Sequence, residues 1–210
     1  MGRKVAGVIA VIGWASLILQ FVLHMTNVVP EPTTLERFVR FFSYFTITTN
    51  IIVAATLTAI AFFPSTRFGR YASKPSTQAA VASYITIVGV VYSLFLRSVW
   101  DPAGWQAVAD HALHDIMPLL AIIYWFVFAP KAGIVLADVA KWLMYPIVYV
   151  VYSLVRGAFV DWYPYWFVDV TQFGYPKSLA HTGLVLIAFA VVGFVYFGLS
   201  KLLAGRNESN

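Results

Sequence analysis

The 210-residue chain contains no cysteine, and only 11% of its residues are charged. The lack of cysteine excludes disulfides, thiol nucleophiles and thiolate metal sites. No Asp, Glu, Lys or Arg occurs between Arg40 and Arg67. An uncharged stretch of this length is typical of a segment that crosses a membrane.

Apolar residues are abundant: 60% of the chain is hydrophobic, and the mean hydropathy is +0.78. Six apolar runs are long enough to cross a membrane as helices, at approximately 5–25, 38–63, 79–98, 111–129, 139–157 and 179–203. Their continuity favours helices over the alternating segments of a β-barrel. The sequence therefore predicts an all-α polytopic membrane protein, with residues 1–210 forming a single six-helix transmembrane domain. The first run is expected to be retained, because no small-x-small cleavage site follows it.

The net charge of +5 reflects the predicted topology. Basic residues occur in alternate connecting segments: Arg3, Lys4, Arg67, Arg70, Lys74, Lys131, Lys141 and Lys201. Acidic residues occur mainly in the others: Glu31, Glu36, Asp101, Asp110, Asp161 and Asp169. The positive-inside rule then predicts that both termini are cytoplasmic. Because no basic stripe is concentrated on one element, nucleic acid is not an expected partner.

Polar residues recur inside the predicted spans at intervals of three and four. The stripes are Ser43, Thr46 and Asn50 on the second span, Ser83, Thr86, Ser93 and Arg97 on the third, and Tyr145, Tyr149, Tyr152 and Arg156 on the fifth. Such faces are expected to line a cavity in the outer half of the bundle. The alternative is packing, since Ser and Thr in spans often bond the preceding turn and long basic side chains snorkel.

The segment "DHALHDIMP", residues 110–118, opens the fourth span with two histidines and two aspartates. A histidine beside a carboxylate can act as a general base. A metal site is the alternative, with His24, His111, His114 or His181 and an aspartate as ligands. No HExxH motif occurs, and neither a metal nor another cofactor is the preferred interpretation.

The chain has no G-x-S-x-G elbow, no S-x-x-K, no Gly-rich phosphate loop and no dinucleotide fingerprint. A hydrolase would therefore need a nucleophile and a base from different helices. Thr46, in the segment "FTITTN" (residues 45–50), is the best-placed hydroxyl, with His114 as its base. Asn50 one turn below would stabilise the oxyanion.

"FTITTN" in the second span and "HALHDIMP" in the fourth resemble segments of the androgen-induced integral membrane hydrolases. The aromatic, acidic stretch "DWYPYWFVDV" between the last two spans is similar to theirs as well. The chain most resembles the six-span bacterial relatives of that family. The resemblance implies hydrolysis of fatty-acid esters of hydroxy fatty acids or similar acyl esters, with Thr46 as nucleophile and His114 as base, in a bacterial cell membrane.

On this interpretation, further residues support the reaction or bind the substrate. Ser43 and His111 would assist Asn50, and Arg97 or Arg156 would pair with the free carboxylate of the hydroxy fatty acid. Tyr149, Tyr152 and Ser93 would line the substrate site. The expected partner is a membrane lipid or fatty-acyl ester, and no protein partner is predicted.

Two other functions fit the same polar stripes. A non-catalytic lipid-binding or sensory membrane protein needs only a cavity. A small-solute transporter would be expected to show inverted repeats and helices broken at mid-membrane. No internal repeat is visible in the sequence.

Overall fold

The computed structural model describes residues 1–26 and 33–207; Glu31 lies outside the described residues. Within them there is no β-strand, and six helical segments are long and apolar enough to cross a membrane: Gly2–Thr26, Phe45–Phe62, Pro75–Leu96, Gly104–Phe128, Leu136–Val160 and Val170–Gly205. The predicted all-α, six-span architecture is confirmed. Which side of the membrane holds the termini stays a prediction.

The second span differs from its expected bounds. Instead of one helix over 38–63, the chain forms a short helix α2 (Thr34–Ser43) and a spanning helix α3 (Phe45–Phe62), after α1 (Gly2–Thr26). Tyr44 between them is extended, with φ −78° and ψ 128°. The polar residues Glu36, Arg37 and Arg40 lie on the amphipathic α2, which is suited to a membrane interface. Thr46 is therefore the second residue of a helix rather than one buried several turns deep.

Tyrosines from the fifth span stabilise this break. Tyr149 and Tyr152 belong to α9 (Met144–Val160), which follows α8 (Leu136–Trp142). The Tyr149 hydroxyl donates to the Ser43 carbonyl at 2.8 Å, an oxygen that a continuous helix would have paired internally. Ser43 Oγ donates to the Val39 carbonyl and accepts from the Tyr152 hydroxyl at 2.7 Å.

The third and fourth spans each contain one π-helical segment. Helix α5 (Pro75–Val91), which follows the short helix α4 (Arg67–Ala72), continues into a π segment at Tyr92–Leu96. The fourth span comprises α6 (Gly104–His111), a π segment at Ala112–Ile116 and α7 (Met117–Phe128). π-turns inside α-helices occur frequently at functional sites. Pro118 is at the start of α7, and without an N–H it cannot bond the His114 carbonyl as a regular turn would.

The connection between the fifth and sixth spans lies at the end of the bundle that contains the break at Tyr44. Residues 161–169, which include a 3₁₀ turn at Trp166–Val168, lead into α10 (Val170–Asn207). Gly174 interrupts α10 with φ 71°, a left-handed conformation that favours glycine. Pro176 follows in the first turn after the kink, where its fixed φ is tolerated.

Helix α3 packs between α1 and α5, and α5 also contacts α7 and α10. The buried core between them is apolar and includes Val53, Leu57, Ile85, Met117 and Trp125. Large apolar side chains also cover the outside of the bundle, as expected of a surface that faces lipid: Val11, Ile18, Leu119, Ile123, Val148, Val155, Leu184 and Val191.

Candidate active site

Thr46 and His114 meet at the end of the bundle opposite the chain termini. His114 Nε2 lies 3.2 Å from Thr46 Oγ1. Both side chains are largely buried. Because Thr46 is the second residue of α3, no preceding helical turn offers a carbonyl for its hydroxyl. By contrast, Thr48 bonds the Tyr44 carbonyl, and both Thr48 and Thr49 contact the Tyr145 hydroxyl.

Asp110 fixes the orientation and tautomer of the His114 ring. His114 Nδ1 lies 3.0 Å from the Asp110 carbonyl and 3.1 Å from its carboxylate oxygen Oδ1. Both partners are acceptors, so Nδ1 carries the proton and Nε2 presents a lone pair to Thr46. Tyr92 stacks on the imidazole, with ring centroids 4.0 Å apart, and donates its hydroxyl to Asp110 Oδ2. The arrangement is a nucleophile, a base and a carboxylate that orients the base.

The N-terminus of α3 and Tyr165 supply hydrogen-bond donors beside Thr46. The first N–H groups of a helix have no intrahelical partner, and no side chain caps α3. The Thr46 N–H donates to the Tyr165 hydroxyl at 3.2 Å, and that hydroxyl lies 3.4 Å from Thr46 Oγ1. The second distance is longer than an ordinary O–H···O bond, so the phenol proton can turn toward a bound oxyanion. Burial raises the pKa of Tyr165 to about 12, which keeps this donor protonated at neutral pH.

Asn50 does not have the donor that the predicted oxyanion role requires. Its side-chain nitrogen donates to the Thr46 carbonyl at 2.9 Å and to the Leu113 carbonyl at 3.2 Å. Both amide protons are therefore used, and the carbonyl oxygens opposite exclude the flipped amide. Asn50 is fully buried and connects α3 to the segment that carries His114. Its geometry supports a structural role.

Arg97 and His111 lie on the outer surface, around a different aspartate. Arg97 forms an ion pair with Asp115, whose other carboxylate oxygen lies 2.8 Å from His111 Nδ1. The side chains of Arg97 and His111 are 43% and 55% exposed. His111 is therefore remote from the Thr46 hydroxyl, and Arg97 already has a carboxylate partner. Both residues bond Asp115, and their predicted roles stay predictions.

Arg156 is also engaged by a carboxylate. Glu36 Oε1 accepts from Arg156 at 2.6 Å and from Arg40 at 2.8 Å, and both guanidinium groups lie 4.9 Å from the centre of the Trp162 ring. Desolvation by burial acts to raise the pKa of Glu36, but the bonds from Arg40 and Arg156 outweigh it and lower that pKa. This cluster joins α2 to the loop that carries Tyr165.

Of the other residues predicted to bind substrate, one lines a cavity beside Thr46 and two do not. Tyr149 lines a cavity next to Thr46. Tyr152 is 41% exposed and contacts Ser43 instead. Ser93 is exposed, and Tyr92 rather than Ser93 turns toward His114. The predicted stripe assumed regular α-helical spacing, which fails where the π segment closes through the i→i+5 bond from Arg97 N to the Tyr92 carbonyl at 2.9 Å.

Thr46 lines two cavities. The first, a narrow cavity of about 50 Å³, lies among α3, α5, α9 and α10 and is lined almost entirely by apolar side chains, among them Phe45, Ile87, Val88, Val150, Leu186 and Phe189. We call it the acyl chamber. The second, of about 330 Å³, lies among α1, α3 and α6 and includes Gln20, His24, Gln106, Asp110 and His114 in its lining. We call it the polar chamber. Thr46, Tyr92, Leu96 and Tyr165 line both chambers.

The histidines do not converge. His24 Nε2 lies 3.0 Å from the Arg37 carbonyl in the wall of the polar chamber. His181 packs against Trp166 and Phe173. Across residues 1–26 and 33–207, no three His, Asp or Glu side chains come together as a metal-ligand set.

Sequence reasoning assigned no role to Tyr92 or Tyr165 and did not decide whether Asp110 or Asp115 is the carboxylate that accompanies His114. The i, i+4 spacing of Asp110 and His114 was a usable signal, because it places both on one helix face. Tyr165 belongs to the aromatic loop noted in the sequence. Tyr92 gave no signal, because its orientation depends on the π segment.

No protein-family model, curated protein or solved structure matches this chain.

Proposed function

We propose that this integral membrane protein hydrolyses acyl esters of membrane lipids, with Thr46 as nucleophile, His114 as general base and Asp110 as the residue that orients the base. The resemblance of the sequence to integral membrane hydrolases is consistent with this reaction and with a bacterial cell membrane. One observation carries the proposal: the Thr46 hydroxyl lies 3.2 Å from Nε2 of a histidine whose other nitrogen is fixed by a buried carboxylate. This distance is at the upper end of the range, about 2.6–3.2 Å, over which a general base can take a proton directly.

In the first half of the reaction, Thr46 Oγ1 attacks the ester carbonyl carbon while its proton passes to His114 Nε2. The Asp110 carboxylate stabilises the imidazolium that forms. The negative charge on the former carbonyl oxygen is stabilised by the Tyr165 hydroxyl and by N–H groups at the start of α3. When the tetrahedral intermediate collapses, the ester C–O bond breaks and Nε2 returns the proton to the leaving alcohol oxygen.

In the second half, water replaces the alcohol. His114 Nε2 removes a proton from a water molecule, which attacks the carbonyl carbon of acyl-Thr46. The same donors stabilise the second oxyanion. Collapse breaks the bond to Thr46 Oγ1, returns the proton to it and releases the fatty acid.

The acyl chamber is suited to the fatty chain of the ester. Its walls are apolar, and each methylene buried there contributes about 0.8 kcal/mol. Three residues close its deep end, furthest from Thr46 along their helices: Ile87 on α5, Pro146 on α9 and Phe189 on α10. On the third span its lining residues run from Leu96 to Ile87, through the π segment and into the end of α5.

The size of this chamber is expected to select acyl length. Leu186→Phe fills part of the chamber and should shorten the preferred acyl chain, whereas Phe189→Ala removes part of its floor and should lengthen it. Leu184→Phe is the matched control, because Leu184 is 65% exposed on the outer surface of α10. The measurement is kcat/KM for a series of saturated acyl esters. An unchanged length profile in both chamber variants would disprove this location for the acyl chain.

The oxyanion role of Tyr165 predicts a loss in kcat. Tyr165→Phe removes one donor and should lower kcat about 10²-fold with little change in KM, because the donor acts chiefly on the developing charge. Tyr163→Phe in the same loop removes a hydroxyl remote from Thr46 and should leave kcat unchanged. A rise in KM alone for Tyr165→Phe would indicate a binding role instead.

The test of the proposed function is turnover by the purified protein in detergent. Release of fatty acid from acyl esters should proceed, and an acyl group should be trapped on Thr46 by rapid acid quenching and found by mass spectrometry. Turnover that continues without an acyl-Thr46 intermediate would contradict the nucleophile. A protein that binds these esters without hydrolysing them would support the lipid-binding alternative.

A further inference from the structure

Among the described residues that line the polar chamber, one is Asp, Glu, Lys or Arg, and that residue is acidic. Asp110 is 4% exposed and is already bonded to His114 and Tyr92. The lining includes no Lys or Arg. Residues 27–32, outside the described residues, contain no Lys or Arg in the sequence either. An anionic group desolvated in this chamber would therefore lie near a carboxylate without a cationic partner among the lining residues.

The arginines predicted to bind a substrate carboxylate do not line this chamber. Arg97 is paired with Asp115, and Arg156 is paired with Glu36, whose carboxylate also binds Arg40. An anion that recruited Arg97 would compete with Asp115, and one that recruited Arg156 would compete with Glu36, which Arg156 shares with Arg40. Among the described residues, the lining itself therefore offers an anionic substrate no guanidinium.

Two glutamines instead present neutral hydrogen-bonding groups. Gln106 Nε2 donates to Gln20 Oε1 at 2.9 Å, which joins α6 to α1 across the chamber wall. This bond leaves amide protons on Gln20 and the carbonyl oxygen of Gln106. If both amides are assigned in the opposite sense, one donor group and one acceptor again remain. A hydroxyl group, which both donates and accepts, suits such a pair.

We propose that the polar chamber binds the alcohol part of the ester and that this alcohol is uncharged and hydroxylated, as in a monoacylglycerol. The inference rests on the ester hydrolysis proposed above. It specifies which side of the ester enters which chamber: the fatty chain occupies the acyl chamber, and the glycerol hydroxyls face Gln20 and Gln106. Thr46 belongs to the lining of both chambers.

The experiment measures how fast the wild-type protein in detergent hydrolyses three substrates that carry the same acyl chain. They are the monoacylglycerol, the ester of a hydroxy fatty acid with its free carboxylate, and the methyl ester of that same compound. We expect kcat/KM for the methyl ester and for the monoacylglycerol to exceed that for the free acid at least about tenfold. Equal or faster turnover of the free acid would overturn the inference while leaving the proposed hydrolase intact. Absence of turnover on all three would remove both.

A positive charge placed in the chamber should weaken this selectivity. Gln106→Lys retains a donor toward Gln20 and adds a cation, so it should raise the ratio of free-acid to methyl-ester turnover about tenfold over wild type. Gln172→Lys makes the same chemical change at an exposed position after the outer loop and should leave the ratio unchanged. Because both ratios are measured in the same micelles, differences in substrate partitioning cancel. Equal ratios in Gln106→Lys and wild type would contradict the assignment of the chamber.

Discussion

Thr46→Ala is expected to lower kcat for ester hydrolysis by at least about 10³-fold, with KM nearly unchanged. The substitution removes the hydroxyl that lies 3.2 Å from His114 Nε2 and leaves the walls of both chambers in place. The loss falls on kcat because the covalent acyl intermediate can no longer form. The measurement is steady-state hydrolysis of a monoacylglycerol by protein purified in detergent.

Two neighbouring variants separate loss of chemistry from loss of structure. Thr48→Ala makes the same substitution two residues further along α3, where the hydroxyl contacts Tyr145, and should retain turnover. Thr46→Ser keeps the oxygen and should retain more activity than Thr46→Ala. If Thr46→Ala keeps more than about a tenth of wild-type kcat, another group is the nucleophile and the proposed mechanism fails.

Asp110→Asn should have the second largest effect, a fall in kcat of roughly 10²- to 10⁴-fold. The asparagine is nearly isosteric, but its amide can turn N–H groups toward His114 Nδ1. The Asp110 carbonyl, 3.0 Å from Nδ1, still favours a proton there, so the loss has two sources: the missing carboxylate charge that would stabilise the imidazolium, and the fraction of imidazole that carries its proton on Nε2 and cannot accept the hydroxyl proton. Substrate binding should change little, because the Asp110 carboxylate already bonds His114 and Tyr92.

Asp115→Asn is the matched control for this variant. Asp115 lies five residues further along the fourth span and bonds His111 and Arg97 on the outer surface. Its substitution should change kcat by no more than about twofold, since exposed ion pairs contribute little. Equal losses in both variants would mean that Asp110 acts through helix stability, which thermal unfolding of the two proteins would reveal.

The fold was largely predictable from the sequence because membrane insertion depends on local composition. The free energy of transferring a helix into lipid is approximately a sum over its residues, so six apolar runs indicate six spans. The break at Tyr44 was not predictable in this way. It depends on Tyr149 and Tyr152, about a hundred residues away, which bond the carbonyl and hydroxyl of Ser43.

For the candidate site, sequence reasoning and structure overlap at the two central residues. The prediction paired Thr46 with His114, and the structure brings their side chains within 3.2 Å. Whether the pair is catalytic stays a prediction. Asn50, in contrast, was expected to donate toward the reacting atoms, but the carbonyls of Thr46 and Leu113 take both of its amide protons. Whether a buried amide proton is free to bind substrate depends on acceptors that can be distant in the sequence, as the Leu113 carbonyl is from Asn50.

The sequence by itself determined the class of protein, the number of spans and the polar residues available at one end of the bundle. These properties follow from composition and helical spacing, which are local. Only the tertiary structure decided that Arg97 and Arg156 are paired with carboxylates, that Tyr92 and Tyr165 reach the Thr46–His114 pair, and that Thr46 lines two chambers of different polarity. Those outcomes depend on which helices become neighbours and on the π turns that rotate their side chains, and neither can be read from spacing along one helix.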